Sequence, residues 1–281
     1  MEQIAISFLL KIYDMRSTFF GLIIFSSLFT CLPNSYAQSP YSLKVDREVL
    51  ILSAGLALSI VDYELIKRTD PLTVEELSTL SRENINSFDR AATYNWSPSA
   101  ADLSDILLLT SMVSPMLLFT SSAVRNDAGT YLITYAQNFI WTYSVTHLAK
   151  VTITRYRPYV YNDEVPQEMR RIPDSKHSFF SGHTSYAFSF AVFLSTTFAN
   201  YNPDSSLKPY VWGTSLLLAA ATSYLRFAAG MHYPTDILTG ALVGSAIGYL
   251  LPLIHKNDDD GSSLNPEKIS TNNLFAISIG F

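Results

Sequence analysis

The chain holds a single cysteine, Cys31, in 281 residues. No intramolecular disulfide can form, so the fold needs none even in an oxidising compartment. Charged residues are also scarce, at 15% against about 25% in an average soluble protein. With 48% hydrophobic residues, this describes one domain richer in apolar surface than a soluble average. The net charge of −5 lacks the positive excess that holds a polyanion, so no nucleic-acid partner is expected. No cluster of carboxylates, histidines or cysteines has metal-ligand spacing, and neither metal nor other cofactor is expected. No internal repeat is visible.

What is present is a series of apolar runs separated by polar stretches, which predicts an all-α, membrane-associated bundle of about six core helices with a polar C-terminal tail. Residues 1–37 read as a signal peptide. Met15 and Arg16 precede an apolar run from Phe19 to Leu32, and Ser35-Tyr36-Ala37 has the small-x-small pattern of a cleavage site. Residues 38–103 read as N-terminal helices and a polar linker. Val49 to Val61 is an apolar run of about 13 residues, short for a membrane span. Thr73 and Glu76 form a capping box, which predicts a short helix over about 74–85. Residues 104–255 read as the main bundle, with apolar runs at 106–119 (interrupted by Pro115), 131–149, 186–199, 212–227 and 237–254. Gly240, Gly244 and Gly248 form a row of small residues on one face of the last run, a pattern for close helix–helix contact. Residues 256–281 read as a flexible acidic tail ending in strand-like alternation at Phe275, Ile277, Ile279 and Phe281.

Three stretches carry chemistry. In RFAAGMHYPTD, Arg226 precedes His232 by six residues, and Asp236 follows by four. Pro234 suits the first helical position, so a helix should begin there, with His232 in the entry loop and Asp236 in the first turn. A carboxylate there can reach back to orient the imidazole. In KVTITRYRP, Lys150 and Arg157 stand seven apart, near two helical turns, and can share a face if the helix runs that far; Arg155 is a third cation at another angle. In SFFSGHTS, Ser181 and Gly182 offer a hydroxyl and open backbone N–H groups at a helix start, with His183 beside them, a grouping that suits a phosphate. Each stretch alone also fits a bland role: a buried loop histidine with a capping aspartate, or a solvated basic helix end. His147 reads as a core histidine, and Arg170 and Arg171 as members of a solvated loop, with contact to a second phosphate or head group as the alternative.

Together the stretches resemble the type 2 phosphatidic acid phosphatase superfamily, whose signature runs K-x6-R-P, then P-S-G-H, then S-R-x5-H-x3-D. The chain carries Lys150, Arg157 and Pro158, then Ser181, Gly182 and His183, then Arg226, His232 and Asp236, with all internal spacings kept. Phe180 and Leu225 depart from the usual proline and serine, which bears on loop shape more than on charge.

The resemblance, which spans roughly residues 100–254, implies a metal-independent phosphatase acting through a phosphohistidine. His232 would be the nucleophile, Asp236 its orienting partner, and His183 the acid and then the base. Lys150, Arg157, Ser181, Gly182 and Arg226 would bind phosphate. The expected substrate is a lipid phosphate or pyrophosphate; a soluble periplasmic acid phosphatase of broad specificity is the alternative, followed by a vanadate-dependent haloperoxidase or a non-catalytic membrane protein. Membrane is the expected environment, with no obligate protein partner. Because Val49–Val61 is too short to cross, the site is expected on the periplasmic face of a bacterial inner membrane.

Overall fold

The computed structural model describes residues 39–257; the leader with Cys31 and the alternating tail lie outside the described residues. Among the described residues, six long helices form a bundle: α1 (Val45–Ile66), α2 (Pro98–Val113), α3 (Ala128–Thr152), α4 (Gly182–Tyr201), α5 (Lys208–Ala228) and α6 (Pro234–His255). Successive helices run in opposite directions. At one end of the bundle, Ser42 N–H donates to the His255 carbonyl and the Glu48 carboxylate meets both Gln137 and His255. At the other end, Arg226 meets Ser104, and Ser181 N–H donates to the Asp236 carbonyl. The long connections 67–97 and 153–181 and the short loop 229–233 all gather at this second end.

Helix α1 corrects the sequence reading of a 13-residue run. It has 22 residues, about 33 Å at the usual rise, and with Pro98–Thr120 and Pro234–His255 it is one of three described helices long and apolar enough to cross a membrane. Carboxylates do not break a helix if they find another way to avoid lipid. Glu48 is fully buried, accepting from Gln137 at 2.7 Å and pairing with His255 at 2.7 Å. Asp62 is tucked in and fully buried, while Glu64 faces outward, paired with Lys67 at 3.7 Å. The premise that this helix is too short to span therefore fails.

Elsewhere the local signals act as their chemistry requires. Pro98 stands in the first turn of α2, and the Ser97 hydroxyl accepts the Ala100 N–H. Pro115 lacks the N–H that an α-helix needs, and the chain tightens into a 3₁₀ turn over Ser114–Thr120. Thr73 and Glu76 form both halves of the expected capping box, at 3.0 and 2.7 Å. The helix they start is only Val74–Ser78, and the chain beyond it is broken into separate short turns at Arg82–Asn84 and Ser87–Arg90, capped by the Ser81 and Asn86 side chains. This connection is no solvated linker: Leu72 is fully buried among Tyr159, Val160 and Val165, so 67–97 lies against the 153–181 loop.

Helix α4 is the centre of the bundle and touches α2, α3, α5 and α6. Its closest neighbour is α6, through the predicted glycine row. A Cβ on Gly240 would meet the Ser181 carbonyl oxygen at 2.7 Å, and Cβ atoms on Gly244 and Gly248 would run into the carbonyls of Ser185 and Ser189. Side-chain-free contact lets the two backbones approach, and it sets the first turns of α4 and α6 side by side.

Candidate active site

Those two first turns carry the second and third motifs. The α6 helix begins at Pro234, as its sequence requires, leaving His232 in the loop and Asp236 in the first turn. His232 is almost fully buried. Its Nδ1 lies 2.8 Å from the Ser178 carbonyl oxygen. A carbonyl only accepts, so Nδ1 carries the hydrogen and Nε2 keeps its lone pair. Nε2 faces the Arg157 guanidinium at 3.3 Å. Burial first, then the charges of Arg157, Lys150 and Arg226, hold the His232 imidazolium pKa well below the usual 6.5. The ring is therefore neutral, with the lone pair of one nitrogen left free, as a nucleophile would require.

Asp236 does not hold the ring as the sequence reading expects. Its Oδ2 stands 3.6 Å from His232 Nδ1, beyond a hydrogen bond. The bond goes to Ser178 instead, because the carboxylate is taken up elsewhere. It accepts from the Ser178 hydroxyl at 2.6 Å and the Tyr233 N–H at 3.0 Å, and it pairs closely with Arg155. Asp236 thus steers His232 through its charge and through Ser178.

Arg157 reaches the site by another route than expected. Helix α3 ends at Thr152 and Ile153 is extended, so Lys150 and Arg157 share no helical face. A loop brings Arg157 in. Its N–H donates to the Ser175 carbonyl, and its side chain is fixed by Asp174, whose carboxylate approaches at 2.7 Å and whose backbone carbonyl accepts from Nε at 3.0 Å. Burial alone would push the Asp174 carboxyl up; Arg157 and Lys150 outweigh it and hold it at about 2. Lys150, in the last turn of α3, donates to the His177 carbonyl at 2.7 Å, and its stem runs 3.7 Å from where a Gly182 Cβ would stand.

On the α4 side, Ser181 is fully buried and caps the helix, accepting from Thr184 N–H at 3.4 Å and from the Thr184 hydroxyl at 2.9 Å. Both bonds use its lone pairs, so its own O–H hydrogen stays available to an anion. His183 is held by a residue the sequence reading missed: Asp105 on α2 accepts from His183 Nε2 at 2.6 Å and stands 3.5 Å from Arg226. Arg226 donates to Ser104 at 3.1 Å, and its buried Nε has no partner. An unpaired guanidinium N–H in a buried cationic cluster is a ready donor for a phosphoryl oxygen.

The other candidates are occupied. Arg170 is bonded to Asp163 at 2.9 Å and Arg171 to the Leu72 carbonyl at 2.8 Å, the contacts of a loop that packs on its neighbours. His147 stacks on Tyr143 and bonds its carbonyl at 2.9 Å, as a core histidine does. Asp105 and Asp174 escaped the sequence reading because each lies outside the three stretches and meets them only in space; Ser178 opens the second stretch, but its partners His232 and Asp236 lie 54 and 58 residues away.

Residues 130–260, which contain all three motifs, match the family described as the PAP2 superfamily. The lipid A 4'-phosphatase of Porphyromonas gingivalis is 37% identical over 76 residues, 27% of this chain and 29% of that protein. The probable diacylglycerol pyrophosphate phosphatase 1 of Schizosaccharomyces pombe is 35% identical over 106 residues, 34% of this chain and 38% of that protein. The matched stretches thus span well under two thirds of either relative. A crystal structure of a transmembrane PAP2 type phosphatidylglycerolphosphate phosphatase from Bacillus subtilis aligns over 78% of this chain and 98% of its own, at 18% identity and a TM-score of 0.47.

Proposed function

For a chain that carries a PAP2-superfamily domain at residues 130–260, we propose hydrolysis of a phosphate monoester or pyrophosphate of a membrane lipid through a phosphohistidine on His232. The observation that carries this reading is the fixed imidazole. Nδ1–H is committed to Ser178, and the Nε2 lone pair points at Arg157 within a cluster of cations. Three long apolar helices favour a lipid substrate over a soluble one.

In the first step the Nε2 lone pair attacks phosphorus and the bond from phosphorus to the leaving oxygen breaks. Protonated His183, held by Asp105, gives its proton to that oxygen. Lys150, Arg157 and Arg226 take up the charge on the three non-bridging oxygens, and Ser181 O–H and Gly182 N–H add neutral donors. In the second step neutral His183 takes a proton from water, whose oxygen attacks phosphorus, and the P–N bond breaks to restore His232 and release inorganic phosphate. Asp236 offsets the positive charge that the phosphorylated ring carries.

The proposed location is a bacterial inner membrane with the site at the periplasmic face. The bundle attaches a condition to this: Tyr41 lies at the end opposite the site. If the six helices cross, a periplasmic site requires residue 41 to start inside, whereas a leader cut after Ala37 would carry the site to the cytoplasmic face.

The test is a panel of phosphatidic acid, phosphatidylglycerol phosphate, undecaprenyl pyrophosphate and lipid A, with purified protein in detergent, in EDTA. We expect release of phosphate from at least one member, an acid-labile phosphoenzyme, and loss of both in His232→Ala. Turnover retained by His232→Ala, or turnover that EDTA abolishes and magnesium restores, would overturn the mechanism.

A further inference from the structure

Arg155 is the cation that the three motifs leave unused, and it is the one most deeply tied to the nucleophile's mount. Its guanidinium bridges two buried carboxylates. Nη2 pairs with Asp89 at 2.7 Å, and Nη1 reaches both Asp236 and the Thr235 hydroxyl, the latter at 2.8 Å. Its flat face lies over the Tyr233 ring, 4.2 Å from the centroid. Asp89 is fully buried. It accepts from Thr235 N–H at 3.0 Å, from the Thr235 hydroxyl at 2.7 Å and from Asn86 at 2.8 Å. Tyr233, Thr235 and Asp236, the first turn of α6, are therefore gripped from outside by two residues of the two long connections.

From this geometry we infer that the Arg155–Asp89 pair is a positioning device for the nucleophile, fixing His232 and its charge environment through the first turn of α6. The physical reason lies in Asp236. An unopposed carboxylate 3.6 Å from an imidazole nitrogen would draw a proton onto the ring and quench its lone pair. Arg155 offsets part of that charge, being shared between Asp236 and Asp89, and Asp89 in turn fixes Arg155. The other charged groups around His232 are Lys150 from α3, Arg157 from the 153–181 loop, His183 from α4 and Arg226 from α5, with the Asp174 carboxylate behind Arg157 at 2.7 Å. Asp174 is engaged by Arg157, so Asp236 is the carboxylate that stands next to the ring itself and whose compensation bears on it most directly. Arg155 is suited to the task where lysine is not, because a fork can serve two carboxylates at once.

The inference rests on His232 being the nucleophile, and its test separates the two. The full chain, in detergent and labelled with ¹⁵N-histidine, contains five histidines, and the His232 signal is assigned by its loss in His232→Ala. Arg155→Met should raise the proton affinity of His232 by about tenfold or more. It should also lower kcat on a lipid phosphate by about 100-fold, with KM nearly unchanged. Asp89→Asn, which leaves Arg155 less compensated, should move the His232 titration in the opposite direction. Arg155→Lys should restore the titration and only part of kcat. An unaltered His232 titration in Arg155→Met and in Asp89→Asn would overturn the inference; if Arg155→Met does not fold, Asp89→Asn decides it alone, and an unaltered His232 titration there overturns the inference. Titration shifts as stated in a protein that hydrolyses no lipid phosphate would leave the device standing and bring down the proposed function.

Discussion

Gly240→Ala tests whether helix contact sets the active site. The added Cβ would stand 2.7 Å from the Ser181 carbonyl oxygen and 3.3 Å from Thr184 Cβ. The nearer obstacle is backbone, so no side chain can swing away, and α6 must withdraw from α4 by several tenths of an ångström. Overpacking of this kind costs about 1–3 kcal/mol, and alanine returns about 1 kcal/mol in helix propensity, which leaves a net loss of about 0–2 kcal/mol. The effect on catalysis should be larger than that figure suggests. His232 and Asp236 ride on the α6 start, while the Ser178 groups that hold them, at 2.8 and 2.6 Å, precede α4. Separating the helices stretches both bonds, and a misplacement near 1 Å can lower turnover by about 100-fold. Gly213→Ala is the control: it has nothing within 4 Å of its Cβ, so it should leave stability equal or slightly raised and turnover unchanged. Gly248→Ala, at the distant end of the same row, should destabilise α6 while costing much less turnover than Gly240→Ala. Thermal unfolding in detergent and kcat on a lipid phosphate read both quantities. Equal behaviour of Gly240→Ala and Gly213→Ala would refute the claim that this contact positions the nucleophile.

Other expectations follow from charge and topology. Because the His232 imidazolium pKa lies well below 6.5, this ring, the proposed nucleophile, stays unprotonated as pH falls through 6.5. The acid limb of kcat/KM assigned to the free enzyme's nucleophile should therefore appear below that value, and a limb above 6.5 that His232 titration reproduces would contradict it. With Cys31 replaced by serine, single cysteines at Asp163 and Asp204 should react with an impermeant thiol reagent from opposite sides of the membrane, since the two residues lie in connections at opposite ends of the bundle. Labelling of both from one side would mean that the helices do not cross.

The helices themselves were legible because their signals are local. Pro98 and Pro234 at helix starts, Pro115 at a break, the Thr73–Glu76 box and the Gly240–Gly244–Gly248 row each act within a few residues, where hydrogen-bond geometry and side-chain size decide. The three motifs were legible for the same reason, as residue types at fixed spacing. The true length of α1 was not: whether Glu48 and Asp62 end a helix or hide inside a bundle depends on Gln137 and His255 and on packing far along the chain. Nor were the partners of the site residues. Lys150 and Arg157 look like one helical face, yet α3 stops at Thr152 and a loop delivers the arginine. Asp236 looks like the ring's hydrogen-bond partner, yet Arg155 and Ser178 claim its oxygens and the Ser178 carbonyl takes the imidazole. Asp105 and Asp89 meet His183 and Arg155 across 78 and 66 residues. Sequence spacing names the groups that can do chemistry, but a polar group has many possible partners. Only the tertiary fold decides which lies within three ångströms, and that choice sets tautomer, charge and aim.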